Sequence, residues 1–338
     1  MLNSRVLVTG ATGYIAKHCI IQLLEKGYQV RGTVRSLSRE AELRGIFADY
    51  LENDAQLEFV VANLTDDAGW DAAVKDCDYV LHTATPVPLE EPKDENELII
   101  PAVEGTQRVL HAALKAGVKR VVLTSSESAI IYGHDKSKKY FDENDWSNTN
   151  ADISPYPKSK TLAERAAWDF AKENPALELA VINPGMVIGP LLDKRINSSL
   201  ETVYRIMKGT YPAMPRLGWI FVDVRDVAAA HIAAMTVPEA AGERFFCVTE
   251  WAWLLDLAKI LEPHFASKGY RISTRQMPDF VMRLIALFDK AVKRFIPSLG
   301  ERHEFSNQHI KQILKWTPHP LEETVLDTAQ SMIDFDLV

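Results

Sequence analysis

Tyr156 and Lys160 stand four positions apart in "SPYPKSKTLAERAAW", a segment typical of the start of a helix. Positions i and i+4 of a helix lie on the same face, so the phenol and the ammonium reach into one small volume. A nearby cation stabilises the phenolate and lowers the pKa of the phenol from about 10. The pair would make Tyr156 a proton donor near neutral pH. The same spacing also occurs on solvated helix faces, so the rest of the chain has to decide.

The segment "VTGATGYIA" places Gly10, Gly13 and Ala16 between the first predicted strand and the first predicted helix. Small residues there allow a tight turn and let backbone amides approach a pyrophosphate, whose charge the helix dipole favours. Glycines also serve ordinary turns, but a turn inside a βαβ pattern is the context of a dinucleotide site. The turn therefore predicts a bound dinucleotide.

The end of the second predicted strand, "VRGTVRSLSR", carries Arg35, Ser36 and Arg39 and has no acidic residue before Glu40. A free ribose 2′-hydroxyl is usually bound by a carboxylate at this point, whereas a 2′-phosphate is bound by arginine. The residues therefore favour NADPH/NADP+ over NAD. The alternative is that both arginines are simply solvated.

Short apolar runs alternate with helix-length segments through the first half, among them "RVLVTG", "LEFVVA", "YVLHTA", "RVVLTS" and "LAVINP". This alternation predicts an α/β fold, a Rossmann-type doubly wound parallel sheet covered by helices on both faces. The strand C-termini would share one edge, where ligands bind. We predict an NADP-binding domain at 1–184 with a returning segment at about 219–249, and a smaller, mostly helical substrate-binding cap at 185–218 and 250–338.

The 338 residues include 38 basic and 46 acidic side chains, a net charge of -8, which offers no electrostatic surface for nucleic acid. Cysteines at 19, 77 and 247, far apart in sequence, predict buried thiols rather than disulfides or a metal site.

No signal-like or membrane-spanning run occurs, which predicts a cytoplasmic protein without a membrane partner. The amphipathic segment 279–297 is expected to pack its apolar face inward.

Five motifs, "TGATGYIA", "LHTATP", "VVLTSS", "YPKSK" and "INPGMVIGP", occur in this order. Together they resemble the extended short-chain dehydrogenase/reductases, and their spacing is most similar to the branch of dihydroflavonol reductases, cinnamoyl-CoA reductases and microbial NADPH-dependent aldehyde and ketone reductases. The resemblance covers essentially the whole chain. It implies an NADPH-dependent carbonyl reductase that transfers hydride to a small-molecule aldehyde or ketone and gives an alcohol.

The resemblance also implies three catalytic residues. Tyr156 would be the general acid, Lys160 would bind the nicotinamide ribose and lower the pKa of the tyrosine, and Ser126 would hydrogen-bond the substrate carbonyl. Ser126 is chosen over Ser125 and Ser128 because the family's position is the second serine of the pair.

Further positions are implied by the same resemblance to contact the cofactor. Besides Gly10, Gly13, Arg35, Ser36 and Arg39, they are Thr12, Tyr14, Ile15, Asn63, Leu64, Thr83, Ala84, Thr85, Tyr156, Lys160, Pro184, Gly185, Val187, Ser198 and Ser199. Several could instead be plain strand-end turns. The substrate pocket would be walled by "TPVPLEEP", by Tyr132 and by the region 186–220.

Three departures from the family pattern bear on this interpretation. Asn63 stands where the family usually has an aspartate that bonds the adenine amino group, although an amide oxygen still accepts that bond. Ile131 stands where dihydroflavonol reductases carry a polar residue, and this difference argues against a flavonoid as the substrate. The longer tyrosine-rich motif of cinnamoyl-CoA reductases is absent around the lysine.

Alternative functions remain open on the same fold. An NAD(P)-dependent hydroxysteroid dehydrogenase, or a sugar-nucleotide epimerase or dehydratase, is the second hypothesis, and the arginines of the second strand disfavour the epimerase branch. A non-catalytic dinucleotide sensor is the third, and the retained tyrosine and lysine argue against it. The sequence is compatible with a monomer or a homodimer.

Overall fold

The computed structural model describes residues 4–52, 54–85 and 94–338. Its strands, in chain order, are β1 (Arg5–Val8), β2 (Gln29–Val34), β3 (Leu57–Val61), β4 (Tyr79–His82), β5 (Arg120–Thr124), β6 (Tyr140–Phe141), β7 (Glu178–Pro184), β8 (Met186–Ile188), β9 (Gly218–Asp223), β10 (Arg244–Cys247), β11 (Glu250–Trp253) and β12 (Glu304–Phe305). Its helices are α1 (Tyr14–Glu25), α2 (Glu40–Ala48), α3 (Trp70–Val74), α4 (Asn96–Lys115), α5 (Pro155–Glu173), α6 (Leu200–Met207), α7 (Val224–Thr236), α8 (Leu254–Phe265), α9 (Asp279–Ile285), α10 (Lys290–Lys293), α11 (Gln308–Leu314) and α12 (Leu321–Asp334).

Seven strands form the main sheet in the order β10-β7-β5-β4-β1-β2-β3. Every pair of neighbours in this sheet is parallel. From β1 the chain winds one way to β2 and β3 and the other way to β4, β5, β7 and β10. The predicted doubly wound Rossmann-type sheet is confirmed. Its order reverses between β1 and β4, and the crevice outside their C-terminal ends is where such sheets bind ligands.

The central strands are apolar because helices cover both of their faces. All five residues of β5 are buried, and Leu7 of β1 and Val80 of β4 belong to one core cluster with Val109 of α4 and Phe170 of α5. Burying a side chain of this size stabilises the fold by roughly 1.5–3 kcal/mol. The cluster therefore fixes α4 and α5 against the sheet.

Helix α5 begins at Pro155, directly after its N-cap Ser154. A proline suits the first helical position because its missing N–H would have no intrahelical partner there. Lys160, Ala163, Glu164 and Ala167 lie on the buried face of the helix, at the spacing of an inward stripe. The helix therefore directs one ammonium and one carboxylate into the protein.

The chain divides into two compact units, 1–184 with 225–247 and 306–317, and 185–224 with 248–305 and 318–338. The second unit contains its own sheet, in which β9 lies parallel to β8 and antiparallel to β11. The sequence placed residues 219–249 with the main sheet, whereas β9 pairs within this smaller sheet. An apolar pattern indicates a strand but does not specify its partner. The smaller unit therefore combines this sheet with the helices α6, α8, α9, α10 and α12.

The amphipathic segment 279–297 is divided between α9 and α10. Met282 and Ala286 are buried, but Phe280 is 70% exposed, Leu284 55% and Phe288 87%. The expectation that the apolar face packs inward is therefore wrong for most of this face. Among the described residues, no helix is both long enough and apolar enough to span a membrane.

All three cysteines, Cys19, Cys77 and Cys247, are buried free thiols, as predicted. Burial raises the pKa of Cys77 to about 11 and raises the pKa values of Cys19 and Cys247 well above the ordinary thiol range. These thiols are therefore protonated and poorly reactive at neutral pH.

Candidate active site

The turn after β1 depends on two glycines. Gly10 has φ +70°, in the left-handed region, and a Cβ there would stand 3.0 Å from the Cβ of Ala84. Gly13 is the N-cap of α1, so no capping side chain covers the N-terminus of this helix, and its amide donates to the carbonyl oxygen of Gly10 at 2.8 Å. The neighbouring candidates are all half-buried, namely Thr12, Tyr14 and Ile15. The turn thus presents backbone at the edge of the sheet.

Threonine hydroxyls tie the ends of β1 and β4 together. Thr83 Oγ1 donates to the carbonyl oxygen of Thr9 at 2.6 Å, and Thr9 Oγ1 accepts the amide of Ala84 at 3.0 Å. Thr9 Oγ1 also bonds Nδ1 of the buried His82 at 2.8 Å. These bonds hold Thr83 and Ala84 beside Gly10, where the strand order reverses. Thr85, the next candidate, is exposed.

The two arginines after β2 differ in their surroundings. Arg39 makes a bidentate ion pair with Glu42, at 3.0 and 3.1 Å. Arg35 is exposed and makes no hydrogen bond or ion pair with the described part of the chain. Ser36 Oγ accepts the amide of Ser38 at 3.2 Å and so caps the short turn between them. Arg35 is therefore the arginine whose guanidinium is available for a phosphate.

Asn63 and Leu64 follow β3. Asn63 Oδ1 accepts the amide of Thr65 at 3.3 Å, a long bond that leaves the second lone pair of the oxygen for another donor. Leu64 is buried against α4. A Cβ on Gly105 of this helix would stand 2.9 Å from the Cβ of Leu64. Leu64 also lines a small pocket at the sheet edge with Ala84, Thr85 and Lys160. Both candidates thus lie near the same edge as the glycine turn.

The Ser126 side chain lies close enough to the Tyr156 hydroxyl to lower the pKa of the phenol. Ser126 follows β5 and caps a short 3-10 turn, Glu127–Ala129, by accepting the amide of Ser128 at 3.1 Å. Its hydroxyl proton remains available for Tyr156, which stands in the first turn of α5. Tyr156 is 39% exposed, so part of the residue borders solvent. The structure therefore brings two of the three predicted catalytic residues close together.

Lys160 is buried beneath this pair. Its Nζ donates to the carbonyl oxygen of Thr124 at 3.0 Å. Burial lowers the pKa of Lys160 to about 8, against the opposing effect of the Glu164 carboxylate. The ammonium is therefore held inside the sheet edge, one helical turn from Tyr156.

The pKa of Tyr156 differs from the sequence-based expectation. Burial of the hydroxyl raises this pKa, the hydrogen bond from Ser126 opposes the rise, and the Glu127 carboxyl adds to it. The expectation that Lys160 lowers the pKa is not met in this state, because the ammonium donates to Thr124 instead. The phenol is accordingly fully protonated at neutral pH.

A buried network that the sequence-based prediction missed surrounds Glu164. This carboxylate accepts bonds from the Ser125 hydroxyl, from Nδ2 of Asn183 at 2.7 Å and from the guanidinium of Arg244. Asn183 Nδ2 also donates to the carbonyl oxygen of Ser126 at 3.1 Å. The network thus joins α5 to the ends of β5, β7 and β10. The sequence offers only the spacing of Glu164, four residues after Lys160, and this spacing also fits a solvated helix face.

The remaining candidates begin where β7 ends. Pro184 is buried and pairs with Cys247 of β10. Gly185 and Val187 belong to the second unit, where a Cβ on Gly185 would stand 2.4 Å from the carbonyl oxygen of Ile220. Ser198 is exposed and Ser199 precedes α6 in the same unit. Contact between these residues and a cofactor stays a prediction. The predicted pocket wall "TPVPLEEP" comprises residues 85–92, of which 86–92 lie outside the described residues.

Residues 6–247 match a family described as NAD dependent epimerase/dehydratase. The match covers more than half of the 338 residues and includes the glycine turn, Ser126 and the Tyr156–Lys160 pair. The chain belongs to the NAD-dependent epimerase/dehydratase family. This family comprises extended short-chain dehydrogenase/reductases, so the resemblance drawn from the motifs is confirmed.

Relatives of this epimerase/dehydratase family member include plant reductases. Tetraketide alpha-pyrone reductase 2 of Arabidopsis thaliana is 38% identical over 274 residues, 78% of this chain and 84% of the relative. Cinnamoyl-CoA reductase 1 of Petunia hybrida is 34% identical over 332 residues, 97% of this chain and 91% of the relative. The chain is therefore similar to reductases over nearly its whole length.

A solved structure with the same architecture is the yeast methylglyoxal/isovaleraldehyde reductase Gre2 complexed with NADPH. It is 29% identical, covers 99% of this chain and 100% of its own, and has a TM-score of 0.81. Fold and sequence thus both identify this family member as an NAD(P)-dependent oxidoreductase.

The residues at the sheet edge fit an NAD(P) cofactor. Gly10 and Gly13 leave the turn backbone and the N-terminus of α1 open to a pyrophosphate, whose charge the helix dipole favours. Arg35 offers a guanidinium after β2 that has no partner within 4–52, 54–85 and 94–338. The donor set therefore has the charge and the position that a dinucleotide requires at a doubly wound sheet.

Proposed function

We propose that this chain is an NADPH-dependent carbonyl reductase, which reduces an aldehyde or ketone to an alcohol. The observation that carries the proposal is the proximity of the Ser126 side chain to the Tyr156 hydroxyl, with the Lys160 ammonium one helical turn away. Two hydroxyls and a buried cation at the edge of a dinucleotide-binding sheet suit a reaction in which negative charge grows on one oxygen. Similarity to an aldehyde reductase complexed with NADPH supports the same reaction.

The hydroxyls of Ser126 and Tyr156 would bind the carbonyl oxygen of the substrate. The reduced nicotinamide supplies the hydride when it is bound. As the oxygen becomes negative, Ser126 donates a hydrogen bond to it and Tyr156 transfers its proton to it. The carbonyl carbon thereby gains the hydride and the oxygen gains the proton, which gives the alcohol.

The raised pKa of Tyr156 has two consequences for this step. It keeps the phenol protonated before reaction, which a proton donor requires, and it makes the phenolate that remains afterwards costly. The Lys160 ammonium is the cationic side chain on the same helix face that would stabilise this phenolate. We therefore assign Lys160 the role of stabilising the tyrosine after proton transfer.

The preference for NADPH rests on Arg35. Its exposed guanidinium, free of bonds to the described residues, suits the 2′-phosphate, and no carboxylate precedes Glu40 to bond a free 2′-hydroxyl. The pairing of Arg39 with Glu42 makes this second arginine a weaker partner than the sequence suggests. Arg35 is thus the principal determinant of cofactor choice in this proposal.

The function is tested by following NADPH oxidation with aromatic aldehydes, α-ketoesters and diketones. Replacing Tyr156 by phenylalanine removes the donated proton and is expected to lower kcat by about 10²–10⁴-fold, since that is the usual contribution of a general acid. Tyr140→Phe is the matched control, because Tyr140 is 52% exposed and is not part of the hydroxyl pair. Full turnover by Tyr156→Phe, or no carbonyl reduction by the wild type, would refute the proposal.

A further inference from the structure

Glu127 is a buried carboxyl that the proposed reaction does not use. It opens the 3-10 turn after β5, directly after Ser126, and is 8% exposed. Its Oε2 is buried and has no hydrogen-bond partner in the part of the chain that the structure describes. An unsatisfied buried carboxyl oxygen costs folding free energy, and a ligand that supplies the missing bond recovers it.

The surroundings of Glu127 place it at the reaction site. Its carboxyl interacts electrostatically with the hydroxyls of Tyr132 and Tyr156. Ser126 directly precedes Glu127 in the chain and also acts on the Tyr156 hydroxyl, so the side chains of Ser126, Glu127, Tyr132 and Tyr156 lie in one region. A substrate held by Ser126 and Tyr156 would therefore have the Glu127 carboxyl in the same region.

Burial also decides which form of the carboxyl a substrate meets. It raises the pKa of Glu127 to about 8, so the group is mostly protonated at pH 7. A protonated carboxyl donates one hydrogen bond and accepts others. An aliphatic hydroxyl is the neutral partner that both donates and accepts, whereas a methyl group in its place would leave the carboxyl unpaired.

We propose that Glu127 is a specificity-determining residue that binds a hydroxyl group next to the reacting carbonyl, so that hydroxyketones and hydroxyaldehydes are the preferred substrate class. This inference rests on the proposed function, since it requires Ser126 and Tyr156 to hold the carbonyl oxygen. A site built to hydrogen-bond a hydroxyl discriminates strongly against the analogue that lacks it, because its own polar group is then left unpaired.

The test compares 2-hydroxyacetophenone with propiophenone, which carries a methyl group in place of the hydroxyl. The wild type is expected to show a kcat/KM at least about tenfold higher for the hydroxyketone, because the free energy of one buried hydrogen bond corresponds to about that ratio. Glu127→Leu should abolish this preference. Glu127→Gln should retain most of it, because the amide also donates and accepts. Glu25→Gln, an exposed change on α1, should leave the ratio as in the wild type.

A second measurement uses the wild type alone and does not depend on the folding of the variants. The products 1-phenyl-1,2-ethanediol and 1-phenyl-1-propanol are compared as inhibitors of the reduction of any carbonyl that the enzyme accepts. The diol is expected to inhibit at about tenfold lower concentration.

Equal inhibition by the two alcohols, or an unchanged substrate ratio in Glu127→Leu, would overturn the role of Glu127. Loss of the preference in Glu127→Gln as complete as in Glu127→Leu would overturn the hydrogen bond as its cause. Neither result bears on the proposed function. That proposal is refuted by a different result, namely a Tyr156→Phe variant that turns over like the wild type.

Discussion

Arg35 and Arg39 carry the same charge four residues apart, yet only one of them is free. Arg39 is neutralised by two bonds to Glu42, whereas Arg35 has no partner among the described residues. A phosphate would therefore gain a charge-assisted bond from Arg35 without breaking an existing pair. The composition of the segment predicts NADPH, but the choice between the two arginines depends on a side-chain contact.

Replacing Arg35 by serine is expected to raise the KM for NADPH by about tenfold to hundredfold, the value of a hydrogen bond to a charged group, and to leave the KM for NADH nearly unchanged. Arg39→Ser is the matched control and should have a smaller effect, because its guanidinium is already paired. Steady-state kinetics with both cofactors provides the measurement. An equal effect of Arg35→Ser on NADPH and NADH would contradict the assignment.

Two buried acids at the site, Glu127 and Glu164, could not be identified from the sequence. A glutamate four residues after a helical lysine is typical of a solvated helix face, and one after a strand is typical of a turn. The burial of Glu164 depends on Asn183 and Arg244, which bond its carboxylate and are distant from it in sequence. Tyr156, Lys160 and Ser126 could be predicted because each stands in a short motif that the sequence shows directly.

The Glu164–Arg244 ion pair should be important for stability. Both side chains are buried, so Glu164→Gln would leave the Arg244 guanidinium without its counter-charge, at a cost of about 3 kcal/mol in the free energy of unfolding. Glu173→Gln, an exposed change on the same helix, should stay within about 0.5 kcal/mol. Urea unfolding followed by circular dichroism measures both. A Glu164→Gln variant as stable as Glu173→Gln would contradict the argument.

At the scale of elements, the positions of strands along the chain follow from local pattern, whereas their partners do not. The alternation of apolar runs with helices, combined with right-handed crossovers, predicts the parallel sheet that is observed. The same reasoning assigned β9 to that sheet, because "GWIFVDV" has the alternation of any strand. Its pairing with β8 and β11 is decided by tertiary packing. Seven residues of sequence carry no information about these distant partners.

The turn between β1 and α1 offers a test of close packing between elements. Gly10 and Gly117 have nearly the same backbone, φ +70° and +72°, but a Cβ would meet Ala84 at 3.0 Å only at Gly10 and finds open space at Gly117. Alanine at either position should cost about 1–2 kcal/mol for the left-handed conformation. Only Gly10→Ala should also raise the KM for NADPH, by about tenfold or more, because it separates the ends of β1 and β4.

Thermal unfolding and cofactor kinetics of the two alanine variants separate the conformational cost from the cost at the site. If Gly117→Ala weakens NADPH binding as much as Gly10→Ala does, the effect arises from general destabilisation. The glycine turn would then not be the cofactor site.

At the scale of the whole molecule, two buried histidines link stability to pH. His231 Nδ1 lies 2.7 Å from the carbonyl oxygen of Val227, to which it must donate, so the neutral Nε2 accepts the Thr124 hydroxyl at 2.6 Å. Burial lowers the pKa of His231 to about 4, and burial together with the charge of Lys160 lowers the pKa of His82 to about 3. Both histidines are therefore neutral in the folded protein at pH 7.

These pKa values lie below the value of about 6.5 in the unfolded chain, so the unfolded state binds more protons below that pH. The stabilisation is complete above pH 6.5 and is lost progressively as the pH falls toward 4 and 3. From pH 7 to 5.5, each histidine should remove about 1 kcal/mol from the free energy of unfolding.

His231→Gln should start from lower stability at pH 7.5 and then lose less between pH 7.5 and 5.5 than the wild type loses. Urea midpoints at several pH values measure this difference. Parallel stability curves for the two proteins would exclude His231 as a source of the acid sensitivity.

The place of β10 in the sheet has a consequence for how the protein is made. Residues 244–247 lie beside β7, so a nascent chain on the ribosome exposes the open edge of β7 until translation passes them. Until then the Glu164 carboxylate also lacks the arginine that neutralises it. Roughly sixty residues of later sequence must emerge before that edge is closed. A chaperone that covers the edge of β7 during this interval would limit aggregation.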